Sequence, residues 1–165
     1  MTTQNQTNGD RGEKFALAWL NNNGGCLFCK HPNSRVKALK NSFPAVDLIC
    51  DFCLKVYQVK TVLKRDTSTI PSTIPGAQWP PLEMRLKAGI CHPLLVPIIE
   101  QKQGSKQKEP VKNWEETATL WYLGPAFTGR SLYKTRNTHR PNGDPMIMTT
   151  IDVSSAKDNF VQLKK

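Results

Sequence analysis

Apolar residues first recur at helical spacing near the start of the chain, where Phe15, Ala16, Trp19 and Leu20 fall on one stripe. The pattern predicts a helix over 11–22. Asp10 and Glu13 have the offset of a capping box ahead of it, and Asn23-Gly24-Gly25 stops it. Residues 1–10 read as a flexible polar lead. Further on the pattern turns to extended segments: Phe43 to Asp47 leads into one strand, and Leu54 to Leu63, rich in Val, Tyr and Leu, predicts a second. The run KRDTSTIPSTIPGAQ (64–78) reads as a Ser-, Thr- and Pro-rich loop. Trp79 to Lys87 reads as a short helix opened by Pro80-Pro81 and stopped at Gly89. LLVPII (94–99) and TATLWYL (117–123) predict core strands. The lysine-rich segment between them is either a loop that orders on a partner or a disordered excursion. Residues 146–153 predict a last strand before the basic end FVQLKK. The sum is a loop-rich α+β domain over 11–165 with a mixed central sheet.

Charge narrows the partner. Lysine and arginine number 23 against 13 acids in 165 residues, a formal charge of +10, which favours a polyanion and nucleic acid first. No amphipathic basic helix favours a membrane surface, and no apolar run reaches the roughly 18–20 residues of a membrane span. MTTQNQTNGD lacks the apolar region of a signal peptide, so a cytoplasmic, reducing setting is expected. There, cysteines read as metal ligands rather than disulfides.

Their spacing says the same. Cys26 and Cys29 form one C-x2-C pair, Cys50 and Cys53 another, with twenty residues between, close to the spacing of a four-cysteine structural zinc site. His31 is a competing ligand that four cysteines make unnecessary, and Cys91 reads as a buried or idle thiol. The second pair lies between two apolar arms in DLICDFCLKVYQVK (47–60), expected to form a metal-closed hairpin. Asp47 precedes this knuckle; Gln58 and Lys60 follow it two residues apart, on one face of an extended arm. A carboxylate, a side-chain oxygen and a lysine in convergence are the parts of a magnesium-dependent phosphodiesterase site. Glu13 reads either as the cap partner or as a further acidic ligand of that site.

PAVDLICDFCLKVYQVK (44–60) resembles the DpnI-type, Dam-replacing restriction endonucleases. In that family a proline lies near the catalytic aspartate, a cysteine falls three residues after the aspartate, a second closes the knuckle and E-x-K follows. Pro44, Asp47, Cys50, Cys53, Gln58 and Lys60 stand in those places. Cys26 and Cys29, the tryptophan of the preceding helix, STIPGA (72–77) and the IDVS near the end are similar as well. The resemblance implies a PD-(D/E)xK nuclease fold with the four-cysteine zinc knuckle inserted in the catalytic hairpin. It also implies Mg2+ held by Asp47, Gln58 and the carbonyl of Val59, with Lys60 orienting the attacking water. Two departures stand out: Gln58 replaces the second acid, and the sequence stops where the type member continues into a winged-helix DNA reader.

The expected activity is therefore cleavage of double-stranded DNA at a short sequence, as in a type II restriction enzyme. The alternatives are a zinc-ribbon DNA-binding module that has lost its chemistry at Gln58, or a homing or mobile-element nuclease. One site per chain makes a homodimer an expectation for a double-strand cut. DNA contacts are expected from Arg35, Lys37 and Lys40, from Arg85 and Lys87 on the short helix, and from Arg130, Lys134, Arg136, His139 and Arg140 with Tyr133. Asn137 and Asn142 are available to adenine. His92 reads as structural rather than as a general base.

Overall fold

The computed structural model describes residues 4–39, 46–104, 109–140 and 142–164, apart from the side chain of Asn5. Lys40 and Pro44, both singled out above, lie outside the described residues. Three layers are built around one mixed sheet. Its strands β1 (Val36–Ala38), β2 (Leu48–Cys50), β3 (Val56–Val59), β6 (Leu94–Glu100), β7 (Thr119–Leu123) and β10 (Phe160–Lys164) pair in that order, and β4 (Val62–Lys64) also pairs with β6. β6 runs parallel to β3 and β4 and antiparallel to β7. A second sheet orders β5 (Thr73–Gln78), β9 (Pro145–Asp152) and β8 (Tyr133–His139).

The continuous apolar run of β6 follows from its place at the centre, covered on both faces. Leu94, Val96 and Ile98 face one core, with Ile74 of β5, Ile151 of β9 and Leu82 of helix α2 (Trp79–Lys87). Leu95 faces the other, with Ala16 and Leu20 of helix α1 (Gln4–Asn22) and with Leu48 and Tyr57. A four-residue helix, α3 (Trp114–Thr117), precedes β7.

Several expectations need correction. α1 starts at Gln4, so residues 4–10 are its first turns and Asp10 is not its cap. The expected strand 54–63 is broken into β3 and β4, although one register, Val59↔Leu95 and Val62↔Ile98, runs through both. The break has a cause on β6. Lys60 donates its N–H to the Leu95 carbonyl, and in a parallel ladder its own carbonyl would then take the N–H of residue 97. That residue is Pro97, which has none. The expected loop 64–78 contains β5, and the basic end is β10, paired with β7.

Gly12 lets α1 lie against the strand break. A Cβ built there would overlap the Thr61 side chain. In an open helix Gly→Ala gains about 1 kcal/mol, whereas overpacking costs about 1–3 kcal/mol. Gly12→Ala is thus expected to destabilise the protein by up to about 2 kcal/mol in urea unfolding, with part of the loss recovered in the Gly12→Ala/Thr61→Ala double variant.

Candidate functional site

The four cysteines form two matching turns. Lys30 N–H donates to the Cys26 carbonyl and Leu54 N–H to the Cys50 carbonyl, each at 3.1 Å, and both Lys30 and Leu54 take left-handed backbone, φ 48° and 59°. A left-handed non-glycine residue costs about 1–2 kcal/mol, a strain held at the same point of each turn. All four are free thiols whose sulfurs lie within 4.8 Å of one another. Cys26 Sγ stands 3.5 Å from Cys53 Sγ, and Cys29 Sγ 3.9 Å from Cys50 Sγ. Four sulfurs at the usual Zn–S length of about 2.3 Å on a tetrahedron are about 3.8 Å apart, so the cluster could hold a metal such as zinc.

Its surroundings suit thiolates. The Leu27 N–H donates to the Tyr57 hydroxyl at 3.0 Å, which leaves that hydroxyl to donate to Cys26 Sγ at 3.2 Å. Burial alone would push the Cys26 thiol up; the Tyr57 hydroxyl and the backbone around Phe28 and Cys29 outweigh it and bring the pKa to about 7. His31 lies outside the cluster, its ring stacked on Phe52 at 3.8 Å.

The hairpin that carries Cys50 and Cys53 carries Asp47 and Lys60 at its open end. β2 leaves β3 there: Asp47 donates its N–H to the Tyr57 carbonyl, and Asp47 Oδ2 accepts the Val59 N–H at 2.6 Å. In an unbroken ladder with the register Leu48↔Tyr57, that N–H would go to the backbone of Val46. The carboxylate stands in for it, at the fork between the strands. Extended backbone turns the N–H and C=O of a residue to the same edge, so the Val59 carbonyl faces the fork as well.

Lys60 and Val59 line a groove of about 370 Å³ with Asn8 and Gly9 of α1 and Pro75 and Gly76 of β5. Burial lowers the Lys60 pKa, partly offset by the charges of Asp47 and Glu13. Glu13 is raised to about 6, by burial first and then by Asp47 and Asp10, with Lys60 opposing. It is therefore not the cap partner; it shares a field with Asp47 and Lys60. A helix start placed at Arg11 hid this, since Glu13 lies well inside α1. Gln58 is placed differently. It is buried and borders a small cavity with Arg85 of α2 and His92, on the face of the sheet away from α1.

The Glu13 pKa sets a test. The folded protein holds this proton more tightly than the unfolded chain, so Glu13 favours folding most below its ordinary value of 4.5, and that contribution is lost as pH rises through about 6. Wild type and Glu13→Gln are therefore expected to diverge in urea unfolding between those pH values, the variant being relatively more stable above about 6. Parallel stability curves would rule this out.

Of the expected DNA contacts, several are engaged within the protein. Lys37 pairs with Asp51 at 3.0 Å, Lys87 with Glu83 at 3.1 Å, and Lys134 with Asp152 at 2.7 Å. Arg130 lies over the Trp79 ring at 4.2 Å and donates to the Tyr133 carbonyl, so it braces the core. Arg85 is half-buried and bonded to the Pro81 carbonyl of its own helix. Arg136 and Arg140 are exposed on and just beyond β8, which sequence patterning did not reveal as a strand. Asn142 folds back onto Asp144 in the turn after β8. Among the described residues no helix is long and apolar enough to cross a membrane.

No protein-family model matches the chain, and a search of curated proteins returns no significant match.

Proposed function

We propose that the chain is a magnesium-dependent DNA endonuclease of the PD-(D/E)xK type, cutting duplex DNA in the manner of a restriction enzyme. The observation that carries this reading is the fork that holds the Asp47 carboxylate on the Val59 N–H, with Lys60 in the adjoining groove and with Glu13 and Lys60 both in the field of the Asp47 charge, within a protein of formal charge +10. Asp47, Glu13 and the Val59 carbonyl are oxygen donors of the kind a hard cation takes, and Glu13 supplies the second carboxylate that Gln58 does not. A divalent cation bound there would lower the pKa of a water and polarise the scissile phosphate. Lys60, with its pKa lowered, orients that water and offsets charge on the phosphate as the bond to the leaving oxygen lengthens. Asp47 keeps its place through the Val59 N–H. The four-cysteine cluster, which we read as a zinc site, closes the hairpin from which Asp47 and Lys60 extend. A double-strand cut would use two chains or two successive nicks.

The buried position of Gln58 favours one second reading, a DNA-binding module without chemistry. Incubation of unmethylated and adenine-methylated supercoiled plasmid with Mg2+ or EDTA separates them. Discrete fragments that need Mg2+ are expected; plasmid that is shifted but stays intact with Mg2+ and Mn2+ would overturn the nuclease reading in favour of the module.

A further inference from the structure

The sheet of β5, β9 and β8 is only partly anchored to the core. Tyr133 and Ile151 form its last level inside the apolar cluster, and Thr149 the last buried position of β9 toward the hairpin turn, its hydroxyl bonded to the Ala77 carbonyl. Past Met148, where Gln78 of β5 still pairs, β8 and β9 continue as a two-stranded ribbon through the pairs Asn137↔Ile147, Thr138↔Met146 and His139↔Pro145. Three levels at about 3.4 Å each carry the ribbon about 10 Å past the three-stranded part before its turn. The turn is held by the Arg140 N–H on the Asp144 carbonyl and by the Asn142 side chain on the Asp144 carboxylate, so its one acid is tied back.

The chemistry of this overhang differs from an ordinary solvated strand pair. Asn137, His139 and Arg140 are exposed, and Ile147 is 39% exposed beside them, in an open cleft whose far side is formed by Gln78 and Pro80. Lys134, two levels nearer the core than Arg136, has its charge met by Asp152, so the unopposed cations are those toward the tip. The ribbon is also placed against the candidate site. Pro75, in the wall of the Lys60 groove, is paired through Thr150 to Lys134, so groove and ribbon belong to one sheet.

We infer that the β8–β9 ribbon enters the major groove of duplex DNA and reads base edges there, with Asn137 and Arg140, which line one cleft with Ile147, as its principal readers. A major groove about 12 Å wide and 8.5 Å deep admits a two-stranded ribbon, and the overhang exceeds that depth. Arginine gives a bidentate pair to guanine, asparagine to adenine, and an exposed apolar side chain such as Ile147 meets a thymine methyl group. This rests on DNA being the partner, as proposed above, but not on the chain cutting it.

The test is binding to a pool of duplexes with a randomised core, in Ca2+ and at fixed salt, for wild type and for Asn137→Ala/Arg140→Ala. Neither side chain is buried, so the double variant is expected to melt with the wild type. Wild type is expected to enrich a short consensus; the variant should keep its affinity for arbitrary duplex within about tenfold while its preference for that consensus falls about 100-fold. Enrichment of the same consensus by the variant would overturn the ribbon as reader while leaving the nuclease reading intact. So would a wild type that binds duplex without a consensus. A wild type that binds no duplex would overturn both.

Discussion

Stripping the zinc proposed at Cys26, Cys29, Cys50 and Cys53 is expected to unfold the layer that carries α1, β1 and the β2–β3 hairpin, and with it to end the proposed cleavage. Besides the sulfurs, the segments 23–35 and 50–55 are tied to each other by the exposed hydrogen bonds between Arg35 and Asp51. Cys26 and Cys50 are themselves members of the second core, beside Val36, Leu48 and Tyr57. Without metal, two buried sulfurs and the Tyr57 hydroxyl lose the arrangement that satisfied them, and two left-handed residues remain as strain. Structural zinc contributes apparent energies of about 10–16 kcal/mol in isolated fingers. Part of the present core survives its loss, so a destabilisation of at least about 5 kcal/mol is expected, a fall in Tm of about 10–20 °C. Cys50→Ser should reproduce the effect without chelator. EDTA removes both cations, so the informative step is adding Mg2+ back alone. Cleavage should stay absent until zinc is restored. A chelated protein whose Tm moves by less than about 2 °C would show the cluster to be incidental to the fold.

The same hairpin shows how far sequence reasoning reaches. Cysteine spacing is local and chemically specific, so the cluster was legible. Convergence of Asp47 and Lys60 was legible because both flank the knuckle. Glu13, whose pKa responds to both charges, is 34 positions before Asp47, on a helix whose start was misplaced because polar residues 4–10 lack an apolar stripe. The strand break at Lys60–Thr61 depends on Pro97, and nothing near Lys60 in sequence records it. β5 was hidden by its composition. Thr73–Gln78 holds a proline and a glycine, and it is a strand because β9 pairs with it and Gly76 admits Thr149. Each failure is a tertiary contact overriding a local signal.

Gln58 illustrates a different limit. Two residues before a lysine, it takes the place of a catalytic acid, and alternation would put both on one face. In the fold it lies buried against Arg85 and His92, while Lys60, past the last pairing of β3, lines the groove between α1 and β5, and the Arg85 charge acts on Lys60 as well. An uncharged amide suits the first of these positions.

Lys60→Ala is expected to lower DNA cleavage about 10³-fold, the combined scale of a positioned proton-transfer group and a charge-stabilising donor. Loss of activity alone would not separate chemistry from structure, because the ammonium also offsets two carboxylates. Two further readouts do. Lys60 holds the Glu13 pKa down, so its removal should move Glu13 above about 6, visible as a displaced inflection in the pH dependence of stability. Duplex binding at neutral pH should change by less than about tenfold, since one cation lost from a phosphate-contacting surface removes about one counterion from the salt dependence. Asp47→Asn is the matching variant on the acid side. Its amide oxygen can still accept the Val59 N–H, so the fork is preserved and only the charge is lost, whereas Asp47→Ala would leave that N–H unpaired at about 1–3 kcal/mol. Lys60→Ala and Asp47→Asn should both fold, bind and fail to cut, with excess Mn2+ recovering part of the rate in Asp47→Asn and none in Lys60→Ala. Cleavage by Lys60→Ala within tenfold of wild type would remove Lys60 from the chemistry and place the reaction elsewhere in the groove.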